Sequence, residues 1–159
     1  MASHAPARSL YLEDLRVGDR FDSGTLVVEP EEVRSFAQRF DPQPFHLDEV
    51  AARDSVFAGL AASGWHTAAL TMRLLVQSLP LGCGVIGAGT ELAWPRPTRP
   101  GDVLRVSSRV MEISPSRSKP DRGIVSCLTE TLNQDGECVQ RTTAKLLVFR
   151  RPADAPETA

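Results

Sequence analysis

The chain reads as one α+β domain: an antiparallel sheet curled around a single long helix. Three observations carry this expectation. Residues 64 to 79 form the most apolar helical stretch in the chain, with Trp65, Ala68, Leu70, Met72, Leu75, Val76 and Leu79 spread over nearly every side. A helix that is apolar all round belongs in an interior. After it the pattern changes to four strand-like segments separated by turn signals, which suits helix-on-sheet packing. The length of 159 residues gives room for one domain with a real core, and 42% hydrophobic with 24% charged residues is ordinary for a globular protein.

Each element has a local reason. Residues 1–9 contain no apolar run, so they are not a secretory signal, and they are expected to be a disordered tail, as are residues 151–159. The domain is expected over 10–150. Arg20 to Val28 reads as a short first strand. Pro30 then opens a helix whose Val33, Phe36, Ala37 and Phe40 fall on one stripe. Next comes Asp41-Pro42-Gln43-Pro44-Phe45-His46, expected as a loop that two prolines stiffen. A brief helical turn from Leu47 to Ala52 follows, with Asp48 suited to capping it, and then a loop through Gly59. Ser63 is placed to cap the long helix Gly64 to Leu79, and Pro80 to stop it. Strands are expected at Val85 to Trp94, Val103 to Ile113, Gly123 to Asn133 and Cys138 to Phe149. Asp135-Gly136 signals a two-residue hairpin between the last two, pairing positions whose numbers add to 271. Cys127 and Cys138 are then out of register for a disulfide. With Cys83 they make an odd number at no metal-ligand spacing, and all three read as reduced, mostly buried thiols.

Charge narrows the function classes. A net charge of −2 argues against a general nucleic-acid binder, and no stretch approaches the ~20 apolar residues that cross a bilayer. The expected location is cytoplasmic. Between Glu13 and Asp54 there are eleven acidic and five basic residues, whereas between Arg96 and Arg122 there are seven basic and three acidic. Such a local basic surface suits an anionic ligand. Ser116-Arg117-Ser118-Lys119 puts two cations and two hydroxyls together, so Arg117 and Lys119 are candidate phosphate contacts. The competing reading is a solvated strand face.

The residues that carry chemistry lie between Asp41 and Thr67. Asp41 and His46 put a carboxylate and an imidazole five positions apart, an arrangement able to hold one water molecule between them. Ser63-Gly64-Trp65-His66 opens the long helix, where unpaired N–H groups and a partial positive charge suit a developing oxyanion. Base, acid and oxyanion donor are then available from Asp41, His46 and the Gly64 N–H, with Ser63, Trp65 and His66 beside them as substrate contacts. Each has a plainer alternative. Asp41 could cap a turn, and His46 could be a loop histidine satisfied by backbone. His66 could be a packed polar residue, Trp65 and Trp94 core or dimer contacts, and Gly64 a steric necessity.

The Asp41, Pro44, His46, Leu47, Asp48 block resembles the MaoC-like (R)-specific enoyl-CoA hydratases of the hotdog-fold superfamily. Gln43 stands where that family usually has Asn. Ala62-Ser63-Gly64-Trp65 stands where it usually has Ala-His-Gly-Met, keeping the glycine and replacing the histidine. Trp94 to Asp102 resembles the family's strand ending in a Pro-x-x-x-Gly-Asp turn, and the likeness spans roughly residues 12 to 150. It implies a hotdog fold, a homodimer joined edge to edge, and no metal or redox cofactor. It further implies reversible addition of water to a trans-2-enoyl thioester of coenzyme A or an acyl carrier, giving the (R)-3-hydroxyacyl thioester. Two other classes compete. A hotdog thioesterase would place a carboxylate on the central helix, and Gly64 to Leu79 has none. A non-catalytic acyl-thioester-binding subunit would need neither Asp41 nor His46.

Overall fold

The computed structural model describes residues 8–155. A 3₁₀ turn, Leu12–Asp14, precedes β1 (Arg20–Asp22) and β2 (Leu26–Val27). Then come α1 (Pro30–Phe40), α2 (Pro44–Leu47), α3 (Glu49–Arg53) and α4 (Gly64–Ser78). Four long strands complete the chain: β3 (Ile86–Ala93), β4 (Val103–Pro115), β5 (Arg122–Leu132) and β6 (Cys138–Phe149). They form one antiparallel sheet in the order β1-β4-β5-β6-β3, with β2 also on β4. The single first strand expected from Arg20 to Val28 is thus two short ones on the same edge. The break falls at Ser23, whose hydroxyl accepts the Val106 N–H at 2.8 Å and whose own N–H donates to the Val106 carbonyl at 2.9 Å.

The core divides where α4 meets the sheet. Leu75 and Leu79 pack with Leu12, Val110, Val125, Leu146 and Val148, while Leu70 and Leu74 pack with Val28, Val33, Leu104, Val106 and Val139. Burying each such leucine contributes about 1.5–3 kcal/mol, so α4 joins both halves. Thr71 adds a buried hydroxyl contact to Thr131 of β5 at 2.6 Å.

Burial of α4 is nevertheless one-sided. Trp65, Met72 and Val76 are 63%, 48% and 52% exposed in the single chain, so the expectation of an all-round buried helix is corrected. An apolar side chain says only that some surface should cover it, not that the surface is its own sheet. Phe40 likewise lies off the buried stripe of α1, at 61% exposed, whereas Val33 and Ala37 are fully buried.

The β5–β6 turn also differs in detail. Gly136 adopts φ 76°, a left-handed conformation that a residue without Cβ reaches readily. The Asn133 N–H donates to the Glu137 carbonyl at 3.0 Å, leaving a loop of three residues rather than two. Leu132 therefore pairs with Cys138, and an irregularity restores the expected register at Thr131–Gln140. Cys127 pairs with Ala144, and all three cysteines are free. Cys127 is buried and Cys83 and Cys138 are half-buried. Burial pushes the Cys127 thiol up to about 11, which keeps it protonated at neutral pH.

The expected tails fall mostly outside the described residues, at 1–7 and 156–159. Arg151, assigned to the second tail, is held: its guanidinium meets the Asp14 carboxylate at 2.7 Å and lies over the Tyr11 ring. No described helix is long and apolar enough to cross a membrane.

Candidate active site

Asp41 is the C-cap of α1, its N–H donating to the Ala37 carbonyl at 2.9 Å. The expected stiff loop after it is partly helical. Pro44 starts α2, where its missing N–H costs nothing, and His46 sits in that single turn. Asp48 then caps α3 by accepting the Ala51 N–H at 2.8 Å. This short relay brings His46 Nε2 to 3.2 Å from Asp41 Oδ2, with the imidazole almost completely buried.

The hydrogen bonds around the pair fix its protons. His46 Nδ1 lies 2.7 Å from the Ala61 carbonyl, which can only accept, so Nδ1 carries a hydrogen. Nε2 and a carboxylate oxygen at 3.2 Å then need a proton between them. Burial opposes ionisation of Asp41. Hydrogen bonds from Ser63 and Gln43, together with the His46 ring, outweigh it and hold the carboxyl below its ordinary value. The Ser63 hydroxyl donates to Oδ2 at 2.7 Å and the Gln43 amide to Oδ1 at 2.6 Å. These donors favour the carboxylate form of Asp41.

Ser63 couples the pair to α4. While donating to Asp41, its hydroxyl accepts the Trp65 N–H at 3.3 Å, as the N-cap of the helix. The N–H groups of Gly64 and His66 take no partner among the described residues. Gly64 is tightly covered: a Cβ there would lie 2.6 Å from the Trp94 ring. Trp94 is itself fixed by its Nε1–H, which donates to the buried Gln140 at 2.9 Å, and it meets Trp65 edge-on at 5.3 Å. Asp41, His46 and Gly64 open into one cavity of about 400 Å³, walled by Phe45, Phe57, Trp65, Trp94 and Thr98.

Not every expected site residue lines the cavity. His66 is buried, but it stacks on Phe36 at 4.8 Å and does not line the cavity. Arg117 and Lys119 occupy the β4–β5 turn, at the opposite end of β4 from the cavity. The 13 residues of β4 span about 40 Å of extended chain. The cation at the cavity rim is Arg96, 58% exposed and 3.3 Å from Glu137. Gln43, the Ala61 carbonyl and Phe57 were not among the expected site residues. Gln43 was readable from its place beside Asp41, whereas a backbone carbonyl fifteen residues from His46 leaves no composition signal. Among the described residues, no three His, Cys, Asp or Glu side chains cluster so as to hold a metal ion.

Residues 15–131 match the MaoC like domain family. The chain belongs to the MaoC-like family. A crystal structure of the MaoC-like dehydratase from Rhodospirillum rubrum is 67% identical and superposes with a TM-score of 0.89, covering 91% of this MaoC-like chain and 99% of that one. R-hydratase PhaJ1 from Pseudomonas aeruginosa is 27% identical with a TM-score of 0.74, covering 95% and 96%. A 3-hydroxybutyryl-CoA dehydratase from Methylorubrum extorquens is 30% identical over 139 residues, 87% of each chain. The MaoC-like domain therefore has the hotdog fold expected of it, an antiparallel sheet curled around α4, and its family is one of hydratases and dehydratases.

Proposed function

We propose that this MaoC-like protein adds water reversibly to a trans-2-enoyl thioester, giving the (R)-3-hydroxyacyl thioester of coenzyme A or an acyl carrier. The observation that carries the reading is the 3.2 Å Asp41–His46 contact beside the open N–H of Gly64 in one cavity. In the hydration direction, Asp41 takes a proton from the attacking water as its oxygen bonds to Cβ. His46 delivers the shared proton to Cα, and the Gly64 N–H receives the enolate-like oxygen. Dehydration is the same path reversed. Each acid/base group supplies typically ~10²–10⁴-fold, and an oxyanion donor roughly 3–4 kcal/mol. The (R) sense and the coenzyme A carrier rest on the likeness to PhaJ1 and the Methylorubrum dehydratase. Incubation with crotonyl-CoA, followed by absorbance loss and chiral analysis, tests it. Formation of the (R)-3-hydroxy product is expected, and no loss of the enoyl absorbance overturns the proposal.

The working unit in this proposal is a homodimer. β3 is an edge strand with almost every residue exposed, and Trp65 and Met72 of the uncovered apolar stripe on α4 line a cavity with Gly87, Gly89 and Leu92 of β3. Pairing two β3 edges would satisfy open N–H and C=O groups and cover part of this surface.

A further inference from the structure

Arg99 makes an unusual set of contacts for a half-buried cation. Among the described residues its guanidinium faces no carboxylate within salt-bridge distance. Instead Nη1 donates to the Gly59 carbonyl at 2.9 Å and the Leu60 carbonyl at 3.2 Å, and Nη2 donates to the Phe57 carbonyl. Three carbonyls of one segment converge on a single planar fork, which a lysine point charge could not match. The base of the side chain is held too, because the Arg99 N–H donates to Asp102 Oδ2 at 2.7 Å. Neighbouring Thr98 accepts the Ala62 N–H at 2.8 Å.

The captured segment needs holding. Ala58 sits at φ 51° and Gly59 at φ 154°, and the left-handed region is unfavourable for a residue with a Cβ. The next carbonyl after the three that Arg99 binds is that of Ala61, which accepts His46 Nδ1–H at 2.7 Å. Phe57, at the start of the segment, walls the cavity and packs on Phe45, with ring centroids 5.0 Å apart. Arg99 thus binds the carbonyl one residue before the one that selects the tautomer and tilt of His46.

We infer that Arg99 is a positioning residue for the acid/base pair: by pinning the Phe57, Gly59 and Leu60 carbonyls it fixes the Ala61 carbonyl that orients His46. This rests on the reading of Asp41 and His46 as that pair. The alternative is that Arg99 only braces a surface segment, and the two differ in what His46 reports. The chain has three histidines, so the imidazole nitrogen resonances of His46 are assignable by NMR with His46→Gln as control. In Arg99→Ala the His46 nitrogens are expected to shift towards a mixture of tautomers. kcat on crotonyl-CoA should fall ~10- to 100-fold, the range a small misplacement costs, with KM moving much less. Millimolar methylguanidine should restore part of both. A folded Arg99→Ala with wild-type His46 resonances overturns the inference, whatever its thermal stability. If that variant does not fold, Arg99→Lys takes its place, with the same shifts expected and wild-type resonances again fatal. Should the wild-type protein hydrate no enoyl thioester, the functional reading falls, and the nitrogen resonances alone decide the role of Arg99.

Discussion

Asp41 accepts from Ser63, Gln43 and His46, and these three donors sit on α4's cap, on the turn after α1 and on α2. The spacing of Asp41 and His46 made their proximity readable, whereas the roles expected of them came with the family resemblance. The contact that orients His46 was not readable, since Ala61 acts through its backbone. Asp41→Asn and His46→Gln are each expected to lower kcat by ~10²–10⁴-fold while thermal unfolding stays cooperative; steady-state kinetics on crotonyl-CoA with calorimetry checks both. Gly64 tests the cover over the oxyanion donor. Gly64→Ala would set a Cβ 2.6 Å from the Trp94 ring, an overpacking that costs about 1–3 kcal/mol. Urea denaturation should show most of that loss disappearing in a Trp94→Ala background. Carrier recognition is expected at the cavity rim: Arg96→Ala should raise KM for a coenzyme A thioester more than Arg117→Ala with Lys119→Ala does. Equal or reversed effects would return the basic turn to the site.

At the scale of elements, α4 shows both the reach and the limit of hydrophobic patterning. Its bounds follow from Ser63 and Pro80, but periodicity records only that a face is apolar. The pattern is blind to whether a sheet, a second subunit or a ligand covers that face, so Trp65, Met72 and Val76 looked like interior residues. His66, on the same helix, carries a pH dependence. Burial lowers its pKa below the ordinary 6.5, with Glu32 pulling the other way, and its Nδ1 has no partner among the described residues. Below about pH 6.5 the unfolded chain binds a proton that the folded chain resists. The stability this group supports is therefore complete above that pH and lost as pH falls through the folded value. The urea midpoint should drop between pH 7.5 and 5.5, and His66→Leu should flatten the slope. An unchanged slope would assign the acid sensitivity elsewhere.

For the whole molecule, the open β3 edge and the uncovered stripe of α4 predict association. Light scattering at micromolar concentration is expected to give twice 17.3 kDa, and a Val76→Asp, Met72→Asp double variant should shift it towards the monomer. The fold class was readable because one helix followed by four strands leaves few packings. The order of those strands was not, since β3 joins β6 and not its sequence neighbour β4. That topology has a consequence for how the chain acquires its structure. β4, β5 and β6 are joined by two hairpins and pair with their sequence neighbours, so their loops close at small entropic cost. β3 must reach past β4 and β5. The meander is therefore expected to form early, and its central amides to exchange with solvent only on global opening. Asp41, capping α1, and His46, in the single turn of α2, lie outside it, on segments expected to arrive later and to open separately. Native-state hydrogen exchange should find the amides of 41–53 exchanging by local opening, well before those of β5. The chemistry would then be carried by the part of the chain that the sheet holds least.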